Sequence, residues 1–221
     1  MAKVGQQVTE KRRSATASRI LEAARKAFNA KGYAATSVTD IAASLNMSQG
    51  NLTYHFPTKR DLAMALENDA LQLMKTRRAG LSPGPLADDY IAHLLFGMEL
   101  TWRYRFLMRD RMHYAGEPIG RRPDSELMAD YDELSILLKR ISDEGMFAND
   151  NDENIAELTR SLWIISRYWI DHLRELEGVE QVSWADQQRG IAHHLAILLP
   201  LLKAPARKAF QAALKNALVR A

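Results

Sequence analysis

Between Gly32 and Leu62 the chain allows very little conformational choice. The stretch reads GYAATSVTDIAASLNMSQGNLTYHFPTKRDL. Ser37 followed three residues later by Asp40 is a capping box, which starts a helix by satisfying its free N-terminal amides. Ile41, Ala42 and Leu45 give that helix one apolar face. Asn46 and Met47 then make a turn, and Ser48 is placed to cap a second short helix over about 49–55. Pro57 stops it, because a residue preceding proline avoids the α region. Thr58 and Asp61 repeat the capping box and open a longer helix to about Arg78. Two short helices around a tight turn, with a long helix behind them, form a helix-turn-helix.

The preceding segment supports this module. From Ser14 to Lys31 the apolar positions Ala17, Ile20, Leu21, Ala24, Ala27 and Phe28 recur at spacings of three and four, the mark of an amphipathic helix, and Gly32 ends it. On the second short helix Leu52 and Phe56 face inward. Gln49, Gly50, Asn51, Thr53 and Tyr54 are left outward, a polar set without an acid. Charge follows the same division. The chain of 221 residues has a net charge of +3, but residues 1–60 hold ten basic side chains against three acidic, leaving the remainder at −4. A basic head on a mildly acidic body points to a polyanion at one end. Double-stranded DNA fits, since Asn and Gln bond adenine edges in the major groove and a methyl group can touch thymine. Gln49, Asn51 and Thr53 are the expected base readers, with Gly50 permitting close approach. Ser37, Ser48, Tyr54, His55 and Lys59 are the phosphate-side candidates, although both serines can equally serve only as caps and His55 can equally pack. Residues 1–13 are expected to be a flexible basic arm, with Lys11, Arg12 and Arg13 able to approach DNA.

The run T-S-V-T-D-I-A-A-S-L-N-M-S-Q-G-N-L-T-Y-H-F-P-T-K-R-D-L closely resembles the DNA-binding domain of the TetR family of bacterial transcriptional regulators. The Gly-Tyr after the first helix, the Ile-Ala pair, Ser48, Leu52, Tyr54-His55-Phe56 and Lys59 carry the match over about residues 14–65. The resemblance implies an all-α protein, with a head at 14–60 and a helical ligand-binding and dimerisation domain at 61–221. It adds Thr39 as a possible base contact. It also implies a homodimer on a pseudo-palindromic operator and a small-molecule effector that releases a repressor. The alternative is a helical receptor that acts through protein contacts without sequence-specific DNA binding.

The body is less legible. LSPGPLADD at 81–89 breaks the chain, and helical patterns follow at 90–102, 125–144, 154–177, 184–202 and 206–220. The segment WRYRFLMRDRMHYAG at 102–116 is aromatic and basic. The resemblance implies a small-molecule pocket among these helices; aromatics concentrate between 96 and 169, and Phe96, Trp102, Arg105, Phe106, Arg109, His113, Tyr131 and Trp163 are its candidates, with core packing as the alternative for the same residues. The resemblance implies that the 154–177 and 184–202 helices form the dimer face, with Leu162, Trp169, Leu173, Ile191, Leu195 and Leu198 as its candidates, although their apolar stripes are equally compatible with core packing.

No cysteine is present, so disulfides and thiolate metal sites are excluded. Phosphate-binding loops, nucleophile elbows and H-E-x-x-H are missing. Asp110-x-x-His113 lacks a second copy, and the adjacent His193 and His194 face different ways on a helix. No enzyme activity, metal site or cofactor beyond the effector is expected. Without an apolar run long enough for a membrane span, a cytoplasmic protein is expected.

Overall fold

A computed structural model describes residues 14–114, 125–149 and 154–220. These are all-α, with no strand among the described residues beyond an isolated bridge between Phe147 and Leu202. The head comprises α1 (Ala15–Lys31), α2 (Val38–Ser44) and α3 (Gln49–His55), and α4 (Lys59–Ala79) runs from it into the body. Each helix of the head starts where a side chain satisfies free backbone amides. The Ser14 hydroxyl accepts from the Ala17 amide, and Ser48 from the Asn51 amide. Both expected capping boxes form, at Ser37 with Asp40 and at Thr58 with Asp61. Asn46 turns the chain between α2 and α3 with φ of 54°, a left-handed conformation that Asn tolerates better than most residues.

The body consists of α5 (Leu86–Arg103), α6 (Arg105–Tyr114), α7 (Ser125–Asp143), α8 (Ile155–Glu175), α9 (Trp184–Leu198), a 3₁₀ turn over Leu199–Leu201, and α10 (Ala204–Arg220). Pro200 shortens α9, because its ring cannot continue the α ladder. Pro205 instead lies in the first turn of α10, where a missing N–H does no harm. Residues 1–13, the expected basic arm, lie outside the described residues.

Head and body share a core. Ile20, Leu21, Ala24, Phe28, Ile41, Leu52, Leu62 and Leu66 pack together with Tyr104, Phe106 and Leu107 of the body. Phe106 is therefore not a cavity residue. It lies fully buried beneath the head, its ring 5.1 Å from that of Phe28. Leu62, Ala63, Leu66 and Ala70 of α4 also belong to this core.

The residues expected at the dimer face lie inside the protomer. Leu162, Trp169, Leu173, Ile191, Leu195 and Leu198 are all buried inside the protomer, where they pack α8 and α9 onto α5, α7 and α10. An apolar stripe looks the same in sequence whether its cover is the same chain or another. What α8 and α9 leave outward is Ile164, Tyr168 and Ile197, next to exposed Ala192 and Ala196.

Candidate nucleic-acid interface and ligand cavity

On α3, Gln49, Gly50 and Asn51 are exposed, and Tyr54 has 83% of its surface free. The Asn51 side-chain amide has no hydrogen bond among the described residues, so its donors and acceptor remain available there. A Cβ built on Gly50 would meet nothing within 4 Å, which leaves the backbone open to close approach. Thr39 Oγ1 donates to Gln49 Oε1 at 2.8 Å, joining the outward edges of α2 and α3. Thr53 turns its hydroxyl back to the carbonyls of Gln49 and Gly50, at 3.0 and 3.2 Å. Ser37 and Ser48 accept from capped amides, which leaves each O–H able to donate elsewhere. His55 is half-buried, edge-on to Tyr54.

Lys59 finds its partners within the head. Its ammonium donates to the carbonyls of Tyr33, Ala34 and Thr36 at 2.9, 3.4 and 3.0 Å and sits 4.4 Å from the centre of the Tyr33 ring. An ammonium has three protons, and all three are directed into the α1–α2 connection. Lys59 thus ties the start of α4 to that connection.

The same connection is bonded to the body. The Tyr33 amide donates to Asp110 Oδ2 at 2.8 Å, and Arg109 spans from the Asp110 carboxylate to the Phe28 carbonyl. Arg25 and Asn29 both donate to the Arg103 carbonyl at 2.9 Å, while Asn29 Oδ1 accepts from the Phe106 amide. These contacts seat α1 on the α5–α6 junction. Sequence reading missed them, because single polar residues in α1 give no sign of their distant partners.

Two small adjoining pockets lie among α4, α5, α6, α7, α8 and α9. Met74, Leu100, Thr101, Leu127 and Arg167 line both. Of the expected pocket residues, only Trp163 lines this space. Tyr131 meets it edge-on behind the wall. Phe96 lies under the Arg77 guanidinium, and Trp102 packs between Arg105 and Trp184. Arg109 is committed to the head, and His113 is exposed on α6. The aromatic cluster of 96–169 is thus dispersed among several packing sites.

The polar wall of the cavity is built from residues that look ordinary in sequence. His194 is buried, with Tyr90 Oη 2.8 Å from Nε2 and Ser166 Oγ 2.9 Å from Nδ1. Ser166 gives its proton to the Leu162 carbonyl, so the imidazole proton belongs on Nδ1 and Tyr90 donates to Nε2. Burial pushes the His194 pKa down to about 3, so the ring is neutral. Burial also raises the Asp130 carboxyl. For Glu133 burial acts in the same direction, but the adjacent His93 and the bonded Arg77 guanidinium prevail and hold it at about 2.

A model of tetR-family bacterial regulatory proteins matches residues 20–66, and a model of a bacterial transcriptional repressor matches residues 67–210. The chain belongs to the TetR family. This TetR-family protein is a DNA-binding transcriptional regulator. Among solved structures it is similar to a TetR-family transcriptional regulator from Marinobacter aquaeolei VT8, with 22% identity, a TM-score of 0.70, and coverage of 92% of this chain and 98% of that one. A regulator from Saccharomonospora viridis in complex with choline has 18% identity, a TM-score of 0.61 and coverage of 83% and 97%. A gamma-butyrolactone receptor described as ArpA-like has 18% identity, a TM-score of 0.62 and coverage of 90% and 95%. Identities this low establish the shared fold alone. Among curated proteins, none matches the chain.

Proposed function

We propose that the protein is a ligand-released repressor that binds a pseudo-palindromic operator as a homodimer in the cytoplasm. One observation carries this reading: α4 belongs to both functional ends. Its first half, Leu62 to Ala70, packs in the core of the head, and Ala70, Leu71 and Met74 line the cavity. A ligand that changes how α4 lies in the body therefore moves the head. Release requires the ligand to bind the non-DNA arrangement more tightly, since only differential affinity shifts such an equilibrium. The choline complex and the gamma-butyrolactone receptor support a small-molecule effector in this fold.

Asn51 and Gln49 are the proposed base readers, with Thr39 holding Gln49 in place. Ser37, Ser48 and Tyr54 are the proposed phosphate contacts. One short helix covers few base pairs, and a two-fold dimer doubles the site it reads. The proposed dimer face is the outward side of α8 and α9 around Ile164, Tyr168, Ala192, Ala196 and Ile197. Its alanines would let two helices approach closely.

Selection of bound duplexes from a random pool tests the reading. An enriched sequence with two inverted half-sites is expected, and failure to enrich any palindrome would overturn the proposal in favour of a receptor working through protein contacts. Sedimentation of Ala196→Arg against wild type tests the dimer face, with dissociation expected in the variant.

A further inference from the structure

We propose that His93, Asp130 and Glu133 form a binding site for a divalent transition-metal ion in the wall of the cavity. His93 comes from α5, and Asp130 and Glu133 stand three residues apart on one face of α7. One donor atom from each lies within 4.8 Å of the other two. His93 Nδ1 is 3.0 Å from Glu133 Oε1. Two neighbouring ligands at bonds of about 2.1 Å stand roughly 3.0 Å apart in an octahedron and roughly 3.4 Å apart in a tetrahedron.

The His93 side chain is only 8% exposed, and its Nδ1 has no hydrogen-bond partner even at that distance, because the nitrogen is not aimed at the oxygen. A buried ring nitrogen without a partner is rare and needs an explanation. A lone pair directed into the space between the three side chains supplies one. Asp130 lines the cavity and accepts no hydrogen bond from any described residue. Glu133 is already oriented by Arg77, whose Nη1 reaches both carboxylate oxygens at 2.7 and 3.0 Å. A carboxylate has lone pairs enough for a guanidinium and a metal together, and such outer partners are what hold metal ligands in position.

Charge favours a cation here. Of the guanidinium groups that act on Asp130, Arg77 is bonded to Glu133 and Arg78 is paired with Glu126, while Arg167 lines the same wall. One nitrogen and two oxygen donors suit zinc, manganese, iron or nickel better than magnesium, which prefers oxygen and retained water. The competing occupant is a proton on His93, which would neutralise the cluster without any metal.

Calorimetric titration of the chelator-treated full chain with Zn²⁺ and with Mn²⁺ separates the two. One ion per chain is expected, with at least tenfold weaker binding in both His93→Ala and Asp130→Asn. In the Mn²⁺ complex, electron spin-echo modulation should report one histidine nitrogen, lost in His93→Ala. Circular dichroism identifies any variant that fails to fold, and Asp130→Asn preserves side-chain shape. No saturable binding by the wild type overturns the proposal. So does equal affinity in folded His93→Ala and Asp130→Asn, which would place the ion on surface histidines. The titration uses no DNA, so its outcome is independent of the operator reading.

Discussion

The backbone amide of Tyr33 and the carboxylate of Asp110 are bonded across the join between head and body, 2.8 Å apart and buried. The same carboxylate holds Arg109, which reaches the Phe28 carbonyl. Asp110→Ala would orphan a buried N–H and release a guanidinium, at a cost of about 2–3 kcal/mol. Urea unfolding should report that loss, and hydrogen exchange at the Tyr33 amide should quicken. Asp110→Asn retains an acceptor oxygen and should lose less. Equal stability of wild type and Asp110→Ala would mean that the head is not seated through this bond.

Lys59→Ala distinguishes a structural lysine from a phosphate contact. The α1–α2 connection loses three hydrogen bonds from one ammonium, so the head should be destabilised by about 1–2 kcal/mol. The salt dependence of operator affinity should keep the wild-type slope, since no counterion-releasing contact disappears. A slope reduced by about one with unchanged stability would assign Lys59 to a phosphate after all.

Asn51→Ala tests direct reading. The exposed amide has no partner among the described residues, so its removal should leave stability nearly unchanged. Preference at a single base-pair position should relax by about 1–3 kcal/mol, with other positions unaffected. Binding assays across single-base operator variants measure this. Uniform weakening at every position would reassign Asn51 to the DNA backbone.

The head is legible in sequence because its signals are local. Ser37 with Asp40 and Thr58 with Asp61 stand at fixed short offsets imposed by the geometry of a helix start, and Asn46 marks a turn by its own conformational tolerance. The cavity has no such grammar. Thr101, Asp130, Ser166 and His194 come from four helices, and each is an unremarkable polar residue in its own segment. Leu162 and Leu195 carry no sign in sequence of what covers them, because burial by a partner and burial by one's own chain demand the same side chains. Phe106 was drawn into the wrong cluster because sequence proximity to Trp102 conceals the turn at Tyr104, beyond which α6 packs under the head.

Acid should weaken the fold through His194. Its folded pKa of about 3 lies below the ordinary 6.5, so the unfolded chain binds the extra proton between those values. The stabilisation is therefore complete above pH 6.5 and lost progressively as pH falls toward 3, by up to about 1.4 kcal/mol per pH unit. The His194 ring resonance should not titrate above pH 5. His194→Gln should be less stable at pH 7, having lost the Tyr90 and Ser166 bonds, but should show a shallower decline in acid. An ordinary titration midpoint near 6.5 would show that the ring is not enclosed as described.

Two glycines should respond oppositely to the same substitution. A Cβ on Gly190 would stand 2.6 Å from Cδ1 and 2.7 Å from Cγ of Trp169. That indole cannot retreat easily: its Nε1 donates to the Asp186 carbonyl at 2.7 Å, His172 stacks on it, and His193 lies 4.9 Å away. Overpacking of this kind costs about 1–3 kcal/mol, which outweighs the gain of up to about 1 kcal/mol from replacing a helical glycine. Gly190→Ala should therefore lower the unfolding midpoint and shift tryptophan fluorescence. By displacing α9 from α8 it should also weaken the proposed dimer, seen as dissociation at higher protein concentration. Gly50→Ala meets no neighbour, so it should leave the fold as stable or slightly more so while reducing operator affinity by obstructing the backbone of α3. If Gly190→Ala were neutral and dimeric like wild type, the close packing of α8 on α9 would be wrong. If Gly50→Ala bound operator normally, the backbone at that position would not approach DNA.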